Sequence, residues 1–477
     1  MSKETKEKKQ PTLLISIIPV IITIVLLSVS IIVYGADVHM PLLIGAIVAS
    51  AIAIFGLGFT WKEIEQGILD SIGGTMQAIL ILAIVGSLIG VWIAGGIVPT
   101  MIYYGLQILS PTFFLVASVI LCSIVSLATG SSWTTAGTVG VALVGVAGGL
   151  GISVPLAAGA IISGAYFGDK MSPMSDTTNL APAMAGAELF DHIKHMFYTT
   201  SVSYGITLVI FFILGFRYSG NELDTSTING ILDAISSVYT INPLLMLVPV
   251  IVILMVAMKI PAIPGLIVGV ILGTLCTLYQ GGDFGAILDA LQYGVVTETG
   301  NEMVDELLTN GGLQSMMWTI SLIMCALTFG GVLEKTGMME VIANKLLTLA
   351  RNTGSLVLVT VVTCLFINIL CGDQYLAIAL PGKMYKNTYH DRGLAPRNLS
   401  RVLEDSGTVT SALVPWNTCG ATMSTFLGVP TLSYLPYAFF NMLSPVVTVL
   451  FGFFGITIMK LENDPASPEY IGPKKSK

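Results

Sequence analysis

The chain has 477 residues, 54% of them hydrophobic and only 10% charged, with a mean hydropathy of +0.85. That is too little polar surface to cover a soluble globule of this length, so most of the chain must have lipid as its solvent. A formal net charge of −7 argues against a general affinity for nucleic acid or anionic lipid.

In chain order, Lys3, Lys6, Lys8 and Lys9 precede an apolar stretch from Leu13 to Val33. A secretory signal core is roughly 7 to 15 residues, so this longer stretch, with no small-x-small cleavage site after it, reads as a first membrane helix. A second span is expected over Leu42 to Phe59, followed by an amphipathic segment from Trp61 to Asp70. From Ser71 to Gly168 there are 98 residues without Asp, Glu, Lys or Arg, and Ser406 to Met459 is a second such run of 54. A spanning helix takes roughly 20 apolar residues, so each run holds several. The apolarity is continuous and does not alternate at period two, which points to helices and away from a barrel.

Arg217 to Ile241 is acidic and Gly281 to Leu333 holds no Lys or Arg, whereas Lys335, Lys345 and Arg351 cluster, as do Lys383, Lys386, Arg392, Arg397 and Arg401. Basic residues near span ends stay in the cytoplasm, which predicts both termini inside, Lys474 to Lys477 included, and about 12 crossings, or about 10 plus re-entrant hairpins. The six cysteines lie singly in apolar segments and read as small core residues.

The chain also repeats itself. Gly90-Val91 and Gly96 recur as Gly331-Val332 and Gly337 at an offset of 241, which Pro155 and Pro396 keep, as do Asp176-Thr177 and Asn417-Thr418. Upstream, Ile68-Leu69-Asp70 recurs as Ile287-Leu288-Asp289 at an offset of 219, requiring one gap. With the acidic linker outside, the second half starts on the opposite side from the first. The expected fold is therefore an all-α polytopic membrane protein of two inverted-topology repeats with broken helices or re-entrant hairpins. Its parts are a cytoplasmic tail (1–12), a first repeat (13–217), an extracellular linker (218–241), a second repeat (242–459) and a cytoplasmic tail (460–477). Inverted repeats mark secondary carriers, whose solute site lies at the repeat interface near mid-membrane.

Polar residues interrupt the apolar runs at matching places. Thr129, Gly130, Ser131 and Ser132 in the first half, and Gly372, Asp373 and Gln374 in the second, read as hairpin tips. The stretch Gly168 to Asn179 and the pair Glu404-Asp405, leading on to Pro415, Asn417 and Thr418, read as helix breaks. Breaks at membrane depth survive only where protein or a water-filled cavity satisfies the freed backbone. The oxygens exposed there suit a small cation, and the freed N–H groups a carboxylate.

The run Gly164-Ala165-Tyr166-Phe167-Gly168-Asp169-Lys170-Met171-Ser172-Pro173-Met174-Ser175-Asp176-Thr177-Thr178-Asn179-Leu180 resembles the signature of the NhaC-type sodium/proton antiporters. Leu403 to Gly407 and Pro415 to Gly420 resemble that family's second-half counterpart, and the likeness runs through most of the chain. It implies a carrier of the bacterial inner membrane, surrounded by lipid, with Na⁺ and H⁺ as its transported ions, no cofactor and no transition metal. The family also includes carriers exchanging sodium and lactate for malate and protons, so malate or lactate is the alternative cargo; a homodimer is left open.

The ion-binding candidates are Asp169, Ser172, Asp176, Thr177, Thr178 and Asn179 from the first half, with Glu404, Asp405, Asn417 and Thr418 from the second. Na⁺ and H⁺ would compete for Asp169, Asp176 or both, since a desolvated carboxylate favours a proton and a bound cation favours the ionised form. Structural readings stand beside these: Asp169 paired with Lys170, Glu404 and Asp405 paired with Arg401, and Asp373 serving a turn. Asp191, His192 and His195 are expected in a cytoplasmic loop, as a pH sensor or a solvated face. No nucleophile-base or metal-ligand arrangement falls inside a span, so an enzyme is not expected.

Overall fold

The computed structural model describes residues 8–218, 225–258 and 260–465; Lys3, Lys6 and Lys474 to Lys477 lie outside the described residues, as does part of the proposed linker. Within them the fold is built from helices, with two isolated bridges, Val295 to Asn310 and Leu394 to Lys460.

The first helix, Leu13–Tyr34, starts at an N-cap, Thr12, and ends at Gly35, whose φ of 58° is the left-handed conformation that stops a helix. The second, His39–Ala51, continues through a π-helical turn, Ile52–Leu57. The amphipathic segment is the helix Trp61–Gly74, opened by a capping box of Thr60 and Glu63. Lys8 Nζ lies 2.6 Å from Glu63 Oε1 and over the Phe59 ring. The basic start of the chain and the amphipathic helix therefore share one end of the bundle, as two crossings between them require.

Helix caps mark the repeat more sharply than sequence identity does. Left-handed Gly96 before Ile97–Ile108 answers to left-handed Gly337 before Met338–Leu347, at an offset of 241. The first hairpin runs up Pro111–Thr129, turns at Gly130 (φ 69°) and restarts at N-cap Ser131; the second runs up Thr353–Cys371, turns at Gly372 (φ 63°) and restarts at N-cap Asp373, an offset of 242. The helix Val154–Met171 breaks and resumes as Asp176–Ala185 behind N-cap Ser175. Its counterpart Pro396–Leu403 continues through Ser411, breaks, and resumes as Thr418–Leu427 behind N-cap Asn417, again at 242.

The caps correct the sequence alignment. Asn417 corresponds to Ser175, not to Asp176. Upstream, His39 and Trp61 open helices whose partners open at Ala262 and Phe284, an offset of 223 in place of 219. The gap is an insertion after Gln292 that contains the short helix Glu302–Leu308.

The halves also pack reciprocally. Met76–Ala94 lies on Ala262–Tyr279 and Phe284–Gln292, while its counterpart Met317–Lys335 lies on His39–Ala51 and Trp61–Gly74. Asp176–Ala185 packs on the second hairpin's arm Gln374–Asp391, and Thr418–Leu427 packs on the first hairpin at Ala136–Gly140. Such an exchange of partners follows from a two-fold relation, and the fold is the expected pair of inverted repeats with broken helices and hairpins.

Among the described residues, eight helices are long and apolar enough to span, or ten if each of two bent pairs, broken by 91° and 57°, is one span. That agrees with the alternative of about 10 crossings plus hairpins and not with twelve full crossings, because the hairpins and broken helices take up chain in shorter pieces. The acidic segments meet where Thr240 N donates to Gln280 Oε1 (2.9 Å), whereas Lys335, at the far end of Met317–Lys335, faces Asp70 at 3.9 Å.

The closest helix pair explains the glycines of the long motif. Val154–Met171 lies against Pro111–Thr129, and Ser126 Oγ donates to Ala165 O (2.6 Å). A Cβ on Gly164 would stand 2.3 Å from Val119 O, and one on Gly168 2.5 Å from Ser123 O. Gly164 and Gly168 are one turn apart, so both serve backbone approach, as small residues do in membrane helix pairs. Gly164→Val is expected to cost about 3 kcal/mol. It should lower the thermal midpoint in detergent, whereas Gly205→Ala, at a helical position where a Cβ meets nothing within 4 Å, should leave it unchanged or slightly raised.

Candidate functional site

Pro173 cannot continue the helix that ends at Met171, so the carbonyls of its last turn need partners. Thr178 Oγ1 supplies them, donating to Asp169 O (3.2 Å) and Lys170 O (3.0 Å). Ser175 Oγ accepts from Thr178 N (3.4 Å), Ser172 Oγ accepts from Met174 N (3.3 Å), and Asn179 Nδ2 donates to Pro173 O (2.9 Å) and Ser175 O (2.7 Å). Three of the expected ligand residues, Ser172, Thr178 and Asn179, thus use polar atoms to hold the break together, with Ser175 beside them.

The carboxylates beside them are placed differently. Asp169 Oδ2 accepts from both Ser132 N (3.0 Å) and Ser132 Oγ (2.6 Å), so the tip of the first hairpin holds it from behind. Asp176, the first residue of the resumed helix, is exposed to a cavity of about 620 Å³. Asp169, Thr177, Asn179 and the tip residues Thr129, Gly130 and Ser131 line the same cavity, with Gln374 and Tyr375 from the second hairpin. No described lining residue is Lys, Arg or His.

Behind this chamber the two breaks are joined. Thr177 Oγ1 donates to Glu404 Oε1 (3.0 Å), and Lys170 Nζ is ion-paired and hydrogen-bonded to Asp405, both side chains fully buried. Ser444 Oγ accepts from Lys170 (3.1 Å), and Thr199 Oγ1 donates to Asp405 Oδ2 (2.9 Å). Lys170 therefore answers Asp405 across the repeat interface and not its neighbour Asp169. Nor does Arg401 close on Glu404 or Asp405: Nη1 donates to Thr457 Oγ1 (2.8 Å), and Nε and Nη2 have no protein partner.

Asn417 and Thr418 lie elsewhere. Asn417 Oδ1 accepts from Cys419 N (3.0 Å), its Nδ2 donates to Asn368 Oδ1 (3.0 Å), and Thr418 N donates to Gly372 O (2.7 Å). They lock the second break to the second hairpin and do not line the chamber with Asp176. Asp373 accepts from Leu376 N (2.9 Å), the turn role weighed for it, and from Thr75 Oγ1 (3.2 Å). With Glu334, Asp70, Lys335 and Lys383 it lines a second cavity of about 750 Å³, and Tyr375 borders both cavities. The expected single cage is thus three groups: an open chamber, a buried ionic core and a backbone lock.

His192 and His195 are not in a solvated loop. They lie in the helix Leu189–Gly215 with 0% and 4% exposure. Thr199, Ser444, Asn368 and Thr75 are functional contacts that the sequence motifs do not include. Polar residues within apolar helices were the available signal for them.

Residues 164–456, which hold both breaks and the second hairpin, match the model of the Na⁺/H⁺ antiporter family. The chain belongs to that family. It is 42% identical to the Na⁺/H⁺ antiporter NhaC of Alkalihalophilus pseudofirmus, covering 90% of this chain and 93% of the relative. It is 40% identical to NhaC of Bacillus subtilis (87% and 92% covered) and 35% identical to that organism's malate-2H⁺/Na⁺-lactate antiporter (98% and 100%). As a member of this family the protein is a multi-pass membrane transporter of the Na⁺/H⁺ antiporter type.

Breaking a buried ion pair leaves an uncompensated charge, at a cost of about 3–5 kcal/mol. Lys170→Met is therefore expected to destabilise the protein by that order, and Lys170→Met with Asp405→Asn to recover most of the loss, both read from thermal midpoints in detergent.

Proposed function

We propose that this antiporter exchanges Na⁺ for H⁺ by competition at Asp169 and Asp176 in the chamber between the repeats. The observation that carries this reading is a cavity lined by two carboxylates, Asp169 and Asp176, at a broken helix.

Each neighbour has a role under this reading. Asp176 is the open carboxylate, and Asp169 is kept in place by Ser132. The Thr177 hydroxyl commits its proton to Glu404, so its remaining lone pair is free to face a cation. Lys170 stays bound to Asp405, so it neither fills the site as an internal cation nor offers itself to a carboxylate. Na⁺ stabilises the ionised carboxylate and burial stabilises the protonated one, so occupancy by either ion discharges the other. An empty, charged site is costly to move through the bilayer, which makes face exchange depend on loading. We further propose residues 13–217 and 242–459 as the two moving units, with the acidic segments outside and the termini in the cytoplasm.

A chamber of about 620 Å³ is large for a bare Na⁺, which favours as a second reading the coupled exchange named for the malate/lactate relative.

In proteoliposomes with an internal pH dye, a Na⁺ gradient should drive proton movement without added malate or lactate. Asp176→Asn should reduce it by about a hundredfold or more. Unchanged exchange in that variant removes Asp176 from the site, and flux that requires malate or lactate replaces the first reading with the second.

A further inference from the structure

The two hairpins restart on residues that correspond in position and differ in use. Ser132 opens the first returning arm behind N-cap Ser131, and Gln374 opens the second behind N-cap Asp373, at the offset of 242. Ser132 is spent inside the protein, because its N–H and its hydroxyl both donate to Asp169. The same offset, which holds beyond the π-helical turn Glu404–Thr408, puts Ser411 where Asp169 stands, and the Ser411 hydroxyl donates to the carbonyl of Thr408. The second half therefore has no carboxylate at that place for its tip residue to hold. Gln374 is only 7% exposed, its side chain has no hydrogen-bond partner among the described residues, and it borders the chamber. A buried carboxamide with nothing to bond is costly unless something in the chamber meets it. Of the described lining residues from 242–459, Val256, Ile260, Pro261 and Ala262 are apolar, so the second repeat offers cargo only Gln374 and Tyr375.

We propose that the carboxamide oxygen of Gln374 is the second repeat's ligand to Na⁺, completing from across the interface the coordination supplied by Asp169 and Asp176. This rests on the reading of the chamber as the Na⁺ site. A sodium ion sheds water only where other oxygens replace it, and an amide carbonyl is such an oxygen, as backbone carbonyls are in ion filters. Being neutral, Gln374 adds a ligand without adding charge, so the balance between Na⁺ and H⁺ stays with the carboxylates. The helix Gln374–Asp391 begins here and its positive end opposes a cation; the Asp373 carboxylate, which accepts from Leu376 N (2.9 Å), lies at that end and offsets it. Asp169 and Asp176 by themselves hold an ion to the first repeat alone. With Gln374 engaged the ion touches both repeats, and loading links the second hairpin tip to the first broken helix.

Gln374→Met keeps the length of the side chain and removes its oxygen. It should raise the KM for Na⁺ in proteoliposomes about tenfold or more, and weaken equilibrium binding of labelled sodium to the purified protein by the same factor. Its thermal midpoint in Na⁺-free detergent solution should be unchanged or higher, because a buried polar group without a partner has been removed. Gln374→Glu, which returns an oxygen to that place, should recover sodium binding. Unchanged Na⁺ affinity in Gln374→Met overturns the proposal, as does Gln374→Glu binding sodium no better than Gln374→Met. A midpoint lowered without Na⁺ makes Gln374 a structural residue and overturns it as well. If the unaltered protein binds sodium but moves no protons in exchange, the antiport reading falls, and the binding comparison still decides the role of Gln374.

Discussion

Everything at the centre of this molecule depends on satisfying polar groups where bulk water is absent. Each repeat interrupts a helix deep in the bundle, and each interruption frees carbonyls and N–H groups that lipid cannot serve. The first break answers with its own Thr178, Asn179 and Ser175, and the second with Asn417 and the carbonyl of Gly372. Side chains that would otherwise be free to bind cargo are consumed in making the break possible.

What remains uncommitted then defines the working parts. Charge at the repeat interface is neutralised by pairing Lys170 with Asp405, a contact between residues 235 positions apart. Asp169 is held by the tip of the first hairpin, and Asp176 faces the cavity. The hairpin tips and the resumed helices meet crosswise, each resting on the other half. A movement of one repeat against the other would therefore change the chamber wall, the ionic core and the second cavity together.

The architecture was legible because Gly, Pro and hydroxyl residues inside long apolar runs have few explanations other than a break or a tip. Gly130 and Gly372 adopt the left-handed turn, and Ser131 and Asp373 the caps, where the sequence put hairpin tips. The allocation of polar residues was much less legible. An N-cap and a cation ligand draw on the same Ser, Thr, Asn and Asp oxygens, so Asn417 reads as a ligand in sequence and caps a helix in the fold, while Asn179 ties down backbone carbonyls and also lines the chamber. Local spacing could not show that Lys170 bonds to Asp405 and leaves Asp169 to Ser132. His192 and His195 were misplaced for a related reason: a polar first turn of a long helix has the composition of a loop, and only packing against Ser400 shows it to be buried.

The central claim is that one set of carboxylates serves both ions, and it is most directly tested by binding, without transport. Purified protein in weakly buffered detergent solution should release protons when Na⁺ is added. Its apparent Na⁺ affinity should weaken by about tenfold for each pH unit below the carboxylates' pKa. Sodium binding without proton release, at an affinity independent of pH, would contradict the account.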